Sequence, residues 1–371
     1  MGLNHVYINS SIDADSGAGT VGDPYGRLSY AFSQYPLQSS DITVYNVKGT
    51  TRTNPETNVG TLPTSASISK QGFISPYTGT AFDTTGLVYL NFGTSDAWTD
   101  VNLDWWSFRQ VHFSGGDGSD GYREVGDLDN NINFWNCVFQ GSYFKGDNSF
   151  VYEGCKFLDM KPSAGNIAKA NSAGRFVNNY VETQTGTDTT TELIKATYCI
   201  GNVMNIRGDV NEVFAGISSL AYWTHNIVYF NDEGGHSDGN RRAFEVDDIT
   251  TCKYNYIEGA KVPFYKASAA KQINVQNNVL HNCEKVFAGD ANTFNINDRG
   301  TPIIGPSNTS GIGSALVDPA NGDFSVTEKY KRQTGITFAE TKAGGYKYDT
   351  ERYAGAILGF PAIEYSSVSF N

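Results

Sequence analysis

The stretch Gly201-Asn202-Val203-Met204 is one copy of a short pattern that recurs along the chain: an asparagine followed by two mostly apolar residues. Gly154 replaces the asparagine in one further copy, and Gln110 replaces it in another. The steps between copies, starting from Gln110, are 26, 18, 25, 23, 24, 29 and 23 residues. The other copies are Trp135-Asn136-Cys137-Val138, Asn178-Asn179-Tyr180-Val181, His225-Asn226-Ile227-Val228, Tyr254-Asn255-Tyr256-Ile257 and Asn277-Asn278-Val279-Leu280.

A repeat of about 24 residues matches one coil of three short strands and three turns, stacked on the next coil at about 4.8 Å. Asparagine amides in successive coils can hydrogen-bond along the stack, because each amide has donors and an acceptor. Asparagine also tolerates the left-handed backbone of a sharp corner. The pattern predicts an all-β fold, a right-handed parallel β-helix of about ten coils. A leucine-rich repeat has a similar period but needs leucines at fixed positions, and leucine is sparse here.

The two ends of the repeat predict caps, which a solenoid needs because its terminal coils expose unpaired strand edges. Residues 23–32 predict a short helix, with Asp23 as its N-cap and Pro24 at its first position. We expect one structural domain in three parts: an N-terminal strand and capping helix at residues 1–40, coils at 41–294 and a C-terminal cap at 295–371.

The composition excludes several classes of partner. The 371 residues include 27 Lys and Arg against 39 Asp and Glu, a formal net charge of −12. No stretch concentrates the basic residues, so a nucleic-acid partner is not expected. No apolar run reaches the length of about 18 residues that membrane insertion requires. An acidic polysaccharide would be repelled unless calcium or a local pair of arginines offsets the field.

The five cysteines have no metal-ligand spacing, and several lie inside apolar strand patterns. We therefore interpret them as buried free thiols rather than disulfides or zinc ligands. They are Cys137, Cys155, Cys199, Cys252 and Cys283.

Both ends of the chain resemble the pectate-lyase-like β-helix superfamily. The resemblance rests on Val6-Tyr7-Ile8-Asn9, Asp15-Ser16-Gly17-Ala18-Gly19-Thr20, Asp23-Pro24-Tyr25, Val317-Asp318-Pro319, Gly322-Asp323-Phe324-Ser325-Val326 and Gly355-Ala356-Ile357. It implies the fold but not a chemistry, since the superfamily includes lyases, hydrolases, adhesins and phage spikes. The Arg-rich motif of the lyases and the paired-Asp motif of the polygalacturonases are both absent.

The most polar excursion from the repeat, residues 231–242, is the first candidate site. In a carbohydrate site, two carboxylates act as general acid and base across a glycosidic bond, while arginines hold the sugar. A solvated turn with local ion pairs is the alternative interpretation. The candidate catalytic residues are Asp232, Glu233, Asp238, Glu245 and Asp247, and the candidate substrate-binding residues are His236, Arg241 and Arg242.

Two further candidates lie earlier in the chain. Closely spaced acidic residues with glycines can bind calcium through oxygen ligands, and here they are Asp117, Asp120, Asp127 and Asp129. A plain turn is the alternative, and no other cofactor is expected. Trp105 and Trp106 are adjacent, and adjacent strand residues face opposite ways. One of the two is therefore predicted to face outward and to contact a sugar or a neighbouring subunit.

Two classes of function remain open. The first is a virion structural or adhesion protein, such as a capsid decoration or a tail-spike appendage. It would be a homo-oligomer such as a trimer, and it would contact other virion proteins or a cell-surface polysaccharide. The absence of a signal-peptide pattern in residues 1–11 favours this class and a location in the virion. The alternative is a polysaccharide-degrading enzyme, either a lyase or an inverting glycoside hydrolase, secreted with its signal removed.

Overall fold

The computed structural model divides the chain into two compact units, Met1–Arg175 and Phe176–Asn371. The residues that it describes are 2–38, 41–57, 59–60, 62–63, 70–77, 86–93, 105–115, 124–128, 132–141, 143–146, 150–160, 168–169, 174–184, 190–208, 210–215, 221–231, 241–246, 250–253, 255–266, 273–276, 278–283, 287–289, 316–318 and 323–326.

The first unit contains one helix, α1 (Leu28–Gln34), among its described residues, and otherwise strands. The strands are β1 (Gly2–Asn9), β2 (Asp41–Lys48), β3 (Gln71–Pro76), β4 (Val88–Asn91), β5 (Trp106–Arg109), β6 (Val111–Ser114), β7 (Glu124–Leu128), β8 (Ile132–Trp135), β9 (Val138–Gln140), β10 (Tyr143–Gly146), β11 (Phe150–Glu153), β12 (Lys156–Met160) and β13 (Ala168–Lys169). Strands β1, β2, β3, β5, β8 and β11 follow one another in one parallel sheet. Strands β4, β6, β9 and β12 form a second parallel sheet, and β7 pairs in parallel with β10.

Strand β14 (Arg175–Val177) begins at the last residue of the first unit, and the second unit continues with strands alone among its described residues. They are β15 (Tyr180–Thr183), β16 (Thr190–Lys195), β17 (Tyr198–Ile200), β18 (Val203–Ile206), β19 (Val210–Ala215), β20 (Ala221–Thr224), β21 (Ile227–Phe230), β22 (Arg242–Val246), β23 (Thr250–Lys253), β24 (Tyr256–Glu258), β25 (Val262–Lys266), β26 (Ile273–Gln276), β27 (Val279–His281), β28 (Phe287–Gly289), β29 (Leu316–Asp318) and β30 (Asp323–Val326).

Three parallel sheets build the second unit. Sheet A contains β17, β20, β23 and β26; sheet B contains β15, β18, β21, β24 and β27; sheet C contains β16, β19, β22, β25 and β28. Consecutive strands along the chain enter sheets A, B and C in turn, so one coil has three strands, as the repeat predicts. Strands β29 and β30 form a separate antiparallel pair. The prediction of a right-handed parallel β-helix is confirmed.

A ladder of buried asparagines runs along the corner between sheets A and B of the second unit, and this prediction is confirmed. The Oδ1 atom of Asn226 accepts hydrogen bonds from the backbone nitrogen and Nδ2 of Asn202, at 3.1 and 2.9 Å. Asn226 in turn donates through its backbone nitrogen and Nδ2 to Oδ1 of Asn255, at 2.9 and 3.0 Å. Asn179 and Asn278 extend the same ladder at its two ends.

The prediction that the ladder asparagine also takes the left-handed backbone is wrong. The residue before it does so instead, as at Asn178, Gly201 and His225, with φ of 55°, 67° and 59°. The physical reason is that one residue turns the chain, and the next can then direct its side chain inward toward the neighbouring coil. One residue therefore supplies the left-handed backbone and the next supplies the ladder hydrogen bonds, whereas the sequence analysis assigned both roles to the asparagine.

The alignment of the repeat in the first unit changes accordingly. Asn136 and Gly154 have φ of 52° and 67°, so they occupy the left-handed position rather than the ladder. The next residues, Cys137 and Cys155, take the ladder position, and their thiols donate to the carbonyl oxygens of Phe108 and Phe134, at 3.4 and 3.5 Å. The ladder in this part of the chain is therefore made of thiols, which are weaker donors than amides.

Aromatic columns fill the interior of the coils. In the first unit, Phe134 stacks between Phe108 and Tyr152 with ring centroids 5.1 and 4.6 Å away. In the second unit, Phe244 stacks between Phe214 and Phe264 at 5.2 and 5.6 Å. Stacked rings at these separations add to the stabilisation that burial provides.

The capping helix begins later than predicted. It starts at Leu28 and not at Pro24, so the assignment of Asp23 as its N-cap is wrong. The cause is that Tyr25 is held in an extended bridge with Ile8, and its backbone exchanges hydrogen bonds with that strand. The first helical N–H instead meets a distant carboxylate, Oε2 of Glu56, at 3.3 Å.

All five cysteines are free and buried, which confirms the interpretation of the thiols. Within the described part of the chain, no helix has the length and apolar character that a membrane crossing requires.

Substitution of Asn226 by leucine should lower the free energy of unfolding by about 3 kcal/mol or more, because it leaves several buried ladder groups without partners. Chemical denaturation measures the loss. The half-exposed Thr251 on sheet A is the control, and its replacement by alanine should cost less than about 1 kcal/mol. Equal losses in the two variants would contradict the importance of the ladder.

Candidate functional site

The outer face of sheet C in the second unit carries a compact group of charged side chains. Glu192, Glu212 and Arg242 occupy one register position on the successive strands β16, β19 and β22. Three residues further along each strand stand Lys195, Ala215 and Glu245, and Tyr265 of β25 follows Glu245 at that position. We call these residues the sheet C cluster.

A repeated local pattern explains why both columns face the same side. Two of the strands read as a charged residue, two apolar residues and a second charged residue: Glu192-Leu193-Ile194-Lys195 and Arg242-Ala243-Phe244-Glu245. The strand between them, Glu212-Val213-Phe214-Ala215, has a buried alanine at the last position. The two middle residues are fully buried in all three strands. A regular strand would place residues three apart on opposite faces. Here Lys195 and Glu192 are 3.3 Å apart, so the strand must bend between them.

The guanidinium of Arg242 is the centre of the cluster. Its Nη1 atom lies 2.8 Å from Oε1 of Glu212 and 2.6 Å from Oε2 of Glu245. Its Cζ atom lies 3.4 Å from the centroid of the Tyr265 ring, which is a cation–π contact. The side chains of Arg242, Glu212 and Glu245 keep 13%, 11% and 15% of their exposure, so the cluster is largely removed from water.

Burial and the neighbouring carboxylate raise the pKa of Glu212 to about 8. Loss of hydration is the largest cause, followed by the hydrogen bond with Glu245 and repulsion from its charge. Arg242 lowers the pKa, and Glu192 raises it further. At neutral pH Glu212 therefore keeps its proton and shares it with Glu245.

This arrangement can both give and take a proton. A protonated carboxyl and a second carboxylate in hydrogen-bond contact form a pair in which one oxygen donates and another accepts. The Nε atom of Arg242 is buried and has no hydrogen-bond partner among the described residues. The cluster therefore combines a proton relay with a cationic donor, which is suited to a hydroxylated or anionic ligand.

The structure brings together only some of the residues that the sequence singled out. Arg242 and Glu245 lie in the cluster, and Arg241 precedes β22, half-exposed, with its carbonyl oxygen accepting from the backbone nitrogens of Lys261 and Val262. The other members of this candidate site lie outside the described residues: Asp232, Glu233, His236, Asp238 and Asp247.

Sequence reasoning missed Glu192, Lys195, Glu212 and Tyr265. The signal that would have found the first three is the recurring pattern of a charged residue and two apolar residues, which a second charged residue follows in two of the three copies. Its copies start at residues 192, 212 and 242, close to the spacing of the coils. The candidate site was chosen for the polarity of residues 231–242, a criterion that does not select residues of the neighbouring strands.

The tryptophan pair lies in the first unit. Trp106 is fully buried and stacks on Tyr45 and Phe108 at 6.0 and 6.1 Å. Its assignment as a substrate-binding residue is therefore wrong, because a core side chain cannot meet a ligand. Trp105 is partly exposed, with a φ of 62°, so one member of the pair does face outward.

The calcium candidates stay a prediction. Asp117, Asp120 and Asp129 lie outside the described residues, and Asp127 belongs to β7, where only the backbone is described. Within the described residues, no group of three or more His, Cys, Asp or Glu side chains is arranged to hold a metal ion.

Comparisons with known proteins support the fold. No protein-family model and no curated protein sequence matches the chain. A rhamnogalacturonan lyase structure superimposes with a TM-score of 0.52 and 12% identity, over 95% of this chain and 96% of the lyase. The GH136 lacto-N-biosidase from Eubacterium ramulus gives 0.48 and 13%, over 81% of this chain and 67% of that protein. The pectate lyase Pel9A gives 0.41 and 10%, over 96% of both chains.

Identities this low concern the fold alone, and they give no support to the virion role expected from the sequence. The chain has a pectate-lyase-like right-handed parallel β-helix fold.

Proposed function

We propose that the chain is a polysaccharide-degrading enzyme, a lyase that cleaves a uronate-containing glycan by β-elimination at the sheet C cluster. The observation that carries the proposal is the pair of Glu212 and Glu245. These carboxyls share Nη1 of Arg242, and the pKa of Glu212 is raised to about 8. Strongly displaced pKa values of this kind mark groups suited to acid–base catalysis.

The separation of the carboxyls favours elimination over hydrolysis with inversion. An inverting glycosidase needs its two carboxyls about 6.5–9.5 Å apart, so that a water molecule fits on the far side of the sugar. Oε1 of Glu212 and Oε2 of Glu245 both lie within 2.8 Å of Nη1 of Arg242, so these two oxygens are closer together than that spacing and leave no room for the water. A pair in contact can instead exchange protons with two neighbouring atoms on one face of the substrate.

The elimination step balances on this pair. The Glu245 carboxylate accepts the proton from the carbon next to the sugar carboxylate. The electrons of that C–H bond form the new C=C double bond, and the adjacent C–O bond to the leaving sugar breaks. The leaving oxygen takes the proton of Glu212, and proton transfer from Glu245 to Glu212 along their hydrogen bond restores the starting state.

The two arginines supply the positive charge that an anionic sugar requires. The net charge of −12 would otherwise repel a polyuronate. The side chain of Arg242 keeps 13% of its exposure, and Arg241 is half-exposed beside it. A guanidinium can neutralise the sugar carboxylate and so acidify the proton on the neighbouring carbon.

The virion role expected from the sequence is the less well supported function. A homo-oligomer, virion partners and a location in the virion or outside the cell stay predictions. A carbohydrate surface remains the partner that the enzyme and adhesion hypotheses have in common.

Replacement of either carboxyl by its amide, Glu212→Gln or Glu245→Gln, should reduce cleavage at least about 100-fold, because one half of the proton relay is lost. A panel of uronate-containing polysaccharides serves as substrate. Formation of the double bond is followed by ultraviolet absorbance, and chain cleavage is followed by new reducing ends.

The matched control for this experiment is Glu182→Gln. Glu182 is also paired with an arginine, Arg207 at 3.3 Å, but on sheet B. It should retain wild-type activity. Reducing ends without ultraviolet absorbance would identify a hydrolase and refute elimination, and full activity in Glu212→Gln would refute the assignment of the pair.

The pKa of Glu212 also predicts a pH-dependent stability. Because this pKa rises from 4.5 to about 8 on folding, the folded protein binds the extra proton within this interval. Stability from this group is complete below pH 4.5 and is lost as the pH rises toward 8, at no more than about 1.4 kcal/mol per pH unit. Glutamine resembles the protonated carboxyl and does not titrate, so the stability curves of wild type and Glu212→Gln should lie closest at low pH and separate as the pH rises toward 8. Parallel curves would contradict the shift.

A further inference from the structure

Tyr265 makes the closest ring contact of the sheet C cluster. Its ring centroid lies 3.4 Å from Cζ of Arg242, the distance of a guanidinium stacked on an aromatic face. Tyr265 occupies the strand after that of Arg242 and is the register partner of Glu245. The ring therefore lies beside the carboxyl pair but has no acid–base part in the elimination.

The hydrogen bonds of Arg242 do not fully fix its guanidinium group. The ion pairs with Glu212 and Glu245 both run through the single atom Nη1. Nε has no partner among the described residues, so within that part of the chain the planar fork is bonded through Nη1 alone. The two Nη1 hydrogens lie in the guanidinium plane, so their bonds favour one plane, but they leave the far end of the group able to swing about Nη1, which would move the charge relative to both carboxyls. Face-to-face stacking on a ring removes this freedom.

We infer that Tyr265 is a positioning residue, whose ring holds the Arg242 guanidinium in the plane from which Nη1 serves Glu212 and Glu245 together. The part of this inference that concerns catalysis rests on the proposed lyase function. The part that concerns geometry is that the ring of Tyr265 positions Arg242 against Glu212 and Glu245. This part can be tested without measuring enzyme activity.

The charges around Glu212 define what loss of the ring would do. Glu192 and Lys195 face it from β16, and Arg242 and Glu245 face it from β22. Among these, Arg242 lowers the pKa of Glu212, whereas Glu245 and Glu192 raise it. An apolar replacement of similar bulk keeps the site dry but releases the guanidinium. The pKa of Glu212 should then rise above about 8.

The experiment compares Tyr265→Leu, which removes the ring, with Tyr265→Phe, which keeps it. The free energy of unfolding is measured against pH, and the pH at which it stops falling reports the pKa of Glu212. We expect an upward displacement of about one pH unit in Tyr265→Leu and a return toward the wild-type value in Tyr265→Phe. Tyr222→Leu, at an exposed tyrosine of sheet A in the same unit, should not move it.

Activity gives the second readout. Tyr265→Leu should lower kcat between about 10- and 100-fold, since misplaced charge near the reacting atoms is costly, and Tyr265→Phe should restore most of the loss. Circular dichroism at pH 5, where Glu212 is protonated in every variant, verifies folding. Tyr265→Met replaces the leucine variant if that variant does not fold.

The two proposals fail separately. If no polysaccharide is cleaved by the wild type, the lyase proposal is refuted, while the pH displacement still tests the ring. If the wild type cleaves and Tyr265→Leu shows the wild-type pH displacement and kcat, only the positioning inference is refuted. If the pH at which stability stops falling moved equally in Tyr265→Leu and Tyr265→Phe, the hydroxyl rather than the ring would be responsible. That result would also refute the positioning inference.

Discussion

The register between successive coils is the constraint on which the rest of this structure depends. In the second unit it is fixed by the buried corner, where a left-handed residue turns the chain and the next residue, an asparagine, bonds to its counterpart one coil away. A slip by one residue would turn every inward side chain outward. A slip by a whole coil would break the column of amides. The corner therefore aligns the phenylalanine column of Phe214 and Phe244 inside and the charged column outside.

Much of the fold was predictable from the sequence because the corner is a local signal with a regular spacing. The chain has 22 Tyr and 22 Phe with few leucines at fixed positions, and this separated a β-helix from other solenoids. The division of roles between Asn178 and Asn179 was not predictable, since both residue types suit both positions. The start of α1 was also missed. Its first N–H is bound by Glu56, 28 residues away, and no local capping rule contains that contact.

The candidate site was harder to predict for a different reason. Arg242 and Glu245 were found because they adjoin a conspicuously polar loop. Glu212 lies 30 residues before Arg242, and its contact with Arg242 depends on the register of two strands. A single sequence shows charged residues at the ends of an apolar pair. It does not show that the strand bends at this apolar pair. The bend brings the residues before and after the pair to the same face of the sheet. Tyr265 carries no signal at all, because an aromatic residue near a strand end usually belongs to the core.

Burial is the main cause of the raised pKa of Glu212, and the stacking of carboxylates on adjacent strands adds to it. Identical register positions on neighbouring strands lie about 4.8 Å apart, and like charges in this relation destabilise a sheet. Glu192 and Glu212 are placed in this way, and Glu245 adds a third carboxyl at the same face. Lys195 pairs with Glu192, which leaves Arg242 alone to face Glu212 and Glu245, so a proton retained by Glu212 relieves the repulsion between those two carboxyls. A parallel β-helix thus has a simple means of creating an acid–base pair: it repeats a carboxylate on adjacent coils, buries it, and supplies less positive charge than the column requires.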